Sequence, residues 1–122
     1  MPSHKAFFAL VMAVGMTTVF VAGHGQAATI VVIEKDRALA PTHLQIVQGD
    51  TVVFRNEDGM PHRLTLRAAG RTWSLDTQRQ GQERTQDFAE AGHIDVTCDF
   101  HPQMTMTIDV VKDIPGQAPG RY

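Results

Sequence analysis

Beyond residue 28 the chain is a succession of short apolar or alternating runs separated by turn residues. Residues 29–33 form a β-branched run, followed by a charged connection that ends at Pro41. Residues 43–47 alternate and stop at Gly49-Asp50, a turn signal, and residues 51–55 stop at the polar group 56–59. Over residues 63–67 the alternation is strict. Successive strand side chains point to opposite sides, so Leu64 and Leu66 share one face and Thr65 and the arginines the other. Residues 71–75, 84–88, 94–98 and 105–111 complete the set, with the polar segment 76–83 read as a loop. Seven to eight such strands, with no helical period after the first segment, predict an all-β sandwich around one shared core.

The first 27 residues follow another pattern. One cation, Lys5, precedes an apolar stretch over residues 6–22, and small residues follow to Ala28. That order is the order of a secretory signal peptide, cleaved after Ala27 or Ala28. As a membrane anchor the stretch is short and is broken by Thr17-Thr18. The expected organisation is a signal peptide at 1–27, one domain at 28–112 and a flexible tail at 113–122, where Pro115, Gly116, Pro119 and Gly120 favour fraying. A periplasmic location follows, with no stable membrane insertion after cleavage. His4 and His24 leave with the signal.

Composition narrows the function classes. At 122 residues, 43% hydrophobic and 20% charged, the chain suits a single globular domain. Loss of Lys5 leaves 10 basic against 13 acidic residues, a net charge of −3, without the basic excess that nucleic acid demands. The single cysteine, Cys98, has no internal disulfide partner, so in an exported chain its use is the question.

The answer lies in Cys98-Asp99-Phe100-His101-Pro102-Gln103-Met104. A thiol, an imidazole and a thioether fall within seven residues between two predicted strands. Such soft and borderline donors select copper over magnesium or calcium, and two histidines, one cysteine and a weak axial methionine make the blue-copper arrangement. His62, at the entrance to the strand at 63–67, is the candidate for the second imidazole. Singly, each residue has a plainer use: Cys98 as a small buried apolar group, Met104 as core filling, His62 as a surface or core histidine.

Two stretches, 49–62 and 98–104, resemble the ligand regions of the cupredoxins, blue type 1 copper proteins of the plastocyanin and amicyanin kind. Ala91-Gly92 also fits, and the likeness runs from about Ile30 to Val111. It implies a Greek-key sandwich, one copper per chain, ligation by His62, Cys98, His101 and Met104, and transient redox partners such as a c-type cytochrome or a dehydrogenase. Met106 is the competing methionine. Counted from Met104, the apolar residues of the last strand fall at Ile108 and Val110, as the family requires, whereas the same offsets from Met106 end on Lys112. Met104 is therefore the expected axial ligand.

The chain departs from its relatives where they join their ligand loops with polar residues: it has Arg63 after the first histidine and Asp99 after the cysteine. An Arg63–Asp99 ion pair is the expected replacement. Phe100 stands where the relatives have proline, and its N–H is expected to reach the Cys98 sulfur. Trp73 is expected to pack, and His43 and His93 to lie at the surface. Thr97 precedes Cys98 where related copper enzymes carry a further ligand histidine, so no catalysis is expected. The expected function is one-electron transfer by a monomer, through an apolar rim of Met60, Pro61 and Pro102. A copper carrier without a redox role is the alternative, and a structural zinc site of Cys98, His62 and His101 is disfavoured because zinc rarely recruits methionine.

Overall fold

The period of two is realised as nine strands, among the residues 27–113 that the structure, a computed structural model, describes. The expected signal peptide up to residue 26 and the expected tail beyond Asp113 lie outside the described residues. The strands are β1 (Thr29–Lys35), β2 (Ala38–Ala40), β3 (His43–Val47), β4 (Thr51–Asn56), β5 (Leu64–Ala68), β6 (Arg71–Ser74), β7 (Glu83–Asp87), β8 (Gly92–Cys98) and β9 (Thr105–Val111). One sheet runs β2-β1-β4-β7 and the other β3-β9-β8-β5-β6. The chain passes repeatedly from one sheet to the other, so the two inner faces come from interleaved segments. Val32, Val52 and Phe54 of the first sheet and Leu64, Leu66, Val96 and Ile108 of the second are fully buried. Each contributes roughly 1.5–3 kcal/mol relative to an exposed position.

One strand more is present than the sequence predicts. β2 pairs antiparallel with β1 through a two-residue turn in which Asp36 and Arg37 both have positive φ, 53° and 56°. No glycine or asparagine marks that turn, and a left-handed arginine is unfavourable by itself. A distant carboxylate supports it: Asp58 accepts the N–H of Asp36 at 2.6 Å and of Arg37 at 3.1 Å. The turn between β3 and β4 was legible, because Gly49 takes φ 94° and the Asp50 carboxylate accepts the Val47 N–H at 2.9 Å.

The topology brings two connections to one end of the sandwich. β5 pairs with β8 so that Leu64 faces Cys98, and the Asp99 N–H donates to the Arg63 carbonyl at 2.8 Å. The segment that enters β5 therefore lies beside the loop that leaves β8.

Candidate metal centre

Cys98 ends β8, and the alternation Ile94, Val96, Cys98 turns its side chain into the core, where it is fully buried. The following loop closes tightly. The Met104 N–H donates to the His101 carbonyl at 2.9 Å, and the Cys98 N–H donates to the Met104 carbonyl at 3.0 Å. His101 is thereby folded back over the cysteine, with Nδ1 at 3.8 Å from Sγ. From the other connection His62 brings its Nδ1 to 3.7 Å from the same sulfur. The two imidazoles meet edge to face, 5.2 Å between centroids, and the donor atoms of all three residues lie within 4.8 Å of one another. Donors bonded to one ion at roughly 2.0–2.3 Å stand roughly 3.5–4 Å apart, so the spacing fits a shared metal. Among the described residues, Sγ and the two Nδ1 atoms have no other hydrogen-bonding partner, which leaves their lone pairs for an ion.

His62 is fully buried and held on both sides. Its backbone exchanges two hydrogen bonds with Gln78, 2.9 Å and 2.8 Å, and its Nε2 lies 2.6 Å from Asp58 Oδ2. Burial by itself would raise the Asp58 pKa. The hydrogen bonds from His62 and from the N–H groups of Arg37 and Asp36 outweigh it and hold the carboxyl below its ordinary value. An ionised carboxylate only accepts, so Nε2 carries the proton and Nδ1 keeps the free pair that a metal needs. Asn56 completes the brace: its Oδ1 accepts the Asp58 N–H at 2.7 Å and its Nδ2 donates to the Met60 and Gln78 carbonyls, both at 2.9 Å.

Because its folded pKa is depressed, Asp58 stabilises the fold above its unfolded value and loses that contribution as pH falls through the folded one. Asp58→Asn is expected to cost the metal-free chain about 1–3 kcal/mol at neutral pH and less at strongly acid pH. Urea unfolding at the two pH values checks this, and an equal cost at both would speak against it.

The two methionines are separated by register. Cys98 N–H meets the Met104 carbonyl directly, whereas Met106 pairs with Val96, one inward position deeper along β9. Two residues of strand span roughly 7 Å. Both side chains are buried, but Met104 is the one level with the cysteine.

The loops are joined in a way the sequence reading anticipated only in part. Arg63 Nε and Asp99 Oδ2 stand 3.6 Å apart with side chains 49% and 36% exposed, a geometry in which an ion pair contributes little. The firm contact is made by Thr65, whose Oγ1 donates to Asp99 Oδ1 at 2.6 Å and also meets Ser74 Oγ at 2.7 Å. Phe100 does not act as expected: among the described residues its N–H makes no hydrogen bond to Sγ, whose neighbours are the two imidazoles. Phe100 is instead half exposed, and Met60, Pro61 and Pro102 are likewise exposed on the segments that carry His62 and His101. His43 and His93 lie at the surface on either side of Asp109. Trp73 packs against the core and donates to Gln86 at 3.0 Å.

Asp58, Asn56 and Gln78 were missed as parts of the site. Asn-x-Asp after a strand is a turn signal as well as a brace, and Gln78 lies in what reads as a polar loop; only its full burial marks it.

A two-sheet sandwich whose buried cysteine meets two histidines at one end, with a methionine in register, defines a cupredoxin. The family model described as copper binding proteins of the plastocyanin/azurin family matches residues 26–112, and the chain belongs to that family. Among solved structures it is similar to amicyanin. A reduced proline-to-phenylalanine mutant of amicyanin aligns with 29% identity and TM-score 0.64, over 68% of this chain and 82% of that one. A Cu(I) methionine-to-alanine mutant of amicyanin aligns with 27% identity and TM-score 0.64 over the same shares. The copper-containing nitrite reductase of Thermus scotoductus SA-01 shares the fold at 22% identity and TM-score 0.65, over 70% of this chain and 23% of that one. Comparison with curated protein sequences gave no match. The chain is a blue copper electron-transfer protein with one type 1 copper site.

Proposed function

We propose that this chain is a periplasmic one-electron carrier that cycles between transient redox protein partners, with copper held by His62 Nδ1, Cys98 Sγ, His101 Nδ1 and Met104. The observation that carries the assignment is the convergence of two imidazole nitrogens on one buried sulfur, 3.7 Å and 3.8 Å away. When bound, copper supplies one-electron exchange between Cu(I) and Cu(II). The residues of the chain do the rest. Burial of Cys98 and His62 excludes water, and Asp58 fixes the tautomer and plane of the His62 ring. His101 is the partly exposed member, between the exposed Phe100 and Pro102, and is the exit proposed for the electron. Docking there is proposed to be small and reversible.

Export is supported by the apolar stretch at residues 6–22, and no helix among the described residues is long and apolar enough to cross a membrane. Action without catalysis is supported by Thr97, which occupies the position where related enzymes place another ligand histidine and pairs with Thr65 and Thr105 inside its sheet. A c-type cytochrome or a dehydrogenase is the class of partner proposed, on the likeness to amicyanin.

Addition of Cu(II) to the purified chain tests the assignment. An intense blue colour and a reversible one-electron wave are expected, with the spectrum altered by Met104→Leu and left intact by Met106→Leu. Colourless Cu(I) binding without a wave would mean a copper carrier instead, and preference for zinc would discard both.

A further inference from the structure

β1 carries a glutamate where its alternation calls for a core residue. Val32 and Glu34 face the same way, and both are fully buried. Neither carboxylate oxygen of Glu34 has a hydrogen-bond partner. Beside it lies the side-chain amide of Gln78, itself fully buried. Both Gln78 Nε2 hydrogens are committed, to the Phe54 carbonyl at 2.8 Å and the Gln82 carbonyl at 3.3 Å, while its Oε1 has no donor. An ionised Glu34 thus leaves three buried acceptor atoms without a donor. A single proton on the carboxyl converts it into a donor to Gln78 Oε1 and removes the mismatch.

The pair adjoins the metal centre. Gln78 shares two backbone hydrogen bonds with His62, and Asp58, whose negative charge acts on Glu34, accepts from His62 Nε2 at 2.6 Å. From β7, Arg84 acts in the opposite sense and more weakly. Its guanidinium donates to the Glu83 and Thr77 carbonyls, and its Nε, buried without a partner, does not reach the carboxyl. β2 brings only Ala38, Leu39 and Ala40. On β4, Arg55 is tied to Glu83 at 2.7 Å in a half-exposed pair, and Lys35, next along β1, is exposed.

We propose that Glu34 is a redox-linked proton site, taking up a proton when the metal centre gains an electron and releasing it on reoxidation. The proposal rests on the electron-carrier assignment. In the forward step a one-electron reductant converts Cu(II) to Cu(I), and a proton from solvent forms the O–H bond on the Glu34 carboxylate. In the reverse step both leave. Loss of one positive charge at the metal favours the neutral carboxyl, and the neutral carboxyl in turn favours the reduced metal. Desolvation in the core, with the Asp58 charge acting in the same sense, pushes the Glu34 pKa up to about 7, so the exchange falls at neutral pH.

Voltammetry of the copper-loaded chain across the neutral range tests this. The potential is expected to fall as pH rises through about 7, and Glu34→Gln, which can donate permanently to Gln78 Oε1, is expected to abolish that fall while retaining a reversible wave. An identical pH dependence in both proteins overturns the proposal. Should the variant not fold, carboxyl-carbon NMR of the native Cu(I) chain decides: titration of Glu34 at or above neutral pH supports the proposal, and titration in the ordinary glutamate range overturns it. Absence of any reversible wave would overturn the electron-carrier assignment itself, and a wave without a Glu34-dependent slope this inference alone.

Discussion

Replacement of Cys98 by serine is expected to abolish the blue colour and the reversible copper wave while the metal-free chain still folds. The colour of a type 1 site needs a thiolate bonded to Cu(II), and Cys98 is the only cysteine in the chain. A serine hydroxyl stays protonated at neutral pH and is a poor ligand for a soft site. His62 and His101 would remain within reach of an ion, so weak, colourless Cu(II) binding is expected to persist. The fold has less at stake. The sulfur occupies a fully buried position whose polar neighbours are the two Nδ1 atoms, and a hydroxyl there can donate to one of them. A loss of about 1–3 kcal/mol is expected in metal-free unfolding. Absorption and urea unfolding, measured together, separate the two effects. A variant that kept the colour would refute the ligand assignment.

Glu34→Gln is expected to stabilise the metal-free chain, and only above acid pH. The folded chain holds the Glu34 pKa near 7 against an ordinary value of 4.5, so between those values the folded state binds a proton that the unfolded state has lost. Stability therefore falls as pH rises from about 4.5 to about 7, and the cost is constant above that. A shift of this size corresponds to roughly 3 kcal/mol for a fully buried group. The variant should be more stable by up to roughly that amount in mildly alkaline solution and nearly unchanged below the ordinary glutamate value. Parallel stability profiles for the two proteins would show that Glu34 is not held neutral. The measurement needs no copper, so it examines the buried acid independently of the redox proposal.

Such a buried acid is a cost that an apolar residue at the same position of β1 would avoid. Its neighbours suggest why it is tolerated. Glu34, Gln78 and Asp58 form a polar wedge between β1 and the loop that carries His62, and the Glu57 N–H closes it by donating to the Glu34 carbonyl at 2.8 Å. Asp58 serves two segments at once, the β1–β2 turn and the His62 ring. The Asp58 carboxylate thereby links the turn to the His62 ring.

What could be read along the chain follows from this arrangement. Short β-branched or alternating runs bounded by turn residues placed eight of the nine strands, because a strand with one buried face repeats every second residue. β2 escaped, since Asp36 and Arg37 hold positive φ only with the help of a carboxylate more than twenty residues away. The same alternation, carried one step past Ile33, would have turned Glu34 inward. A charge at that position reads along the chain as the end of the strand.

Residue types alone assign the chemistry of the donors: one thiol, two imidazoles and a thioether of a kind that suits copper, with three of the four in one short loop. It takes the fold to bring His62 to Cys98, to set Thr65 rather than the Arg63 side chain firmly on Asp99, and to leave Phe100 exposed with no hydrogen bond to the sulfur. Ligand type and strand period are properties of residues and their near neighbours. A buried polar group, by contrast, is defined by whichever partners the fold brings to it from elsewhere in the chain.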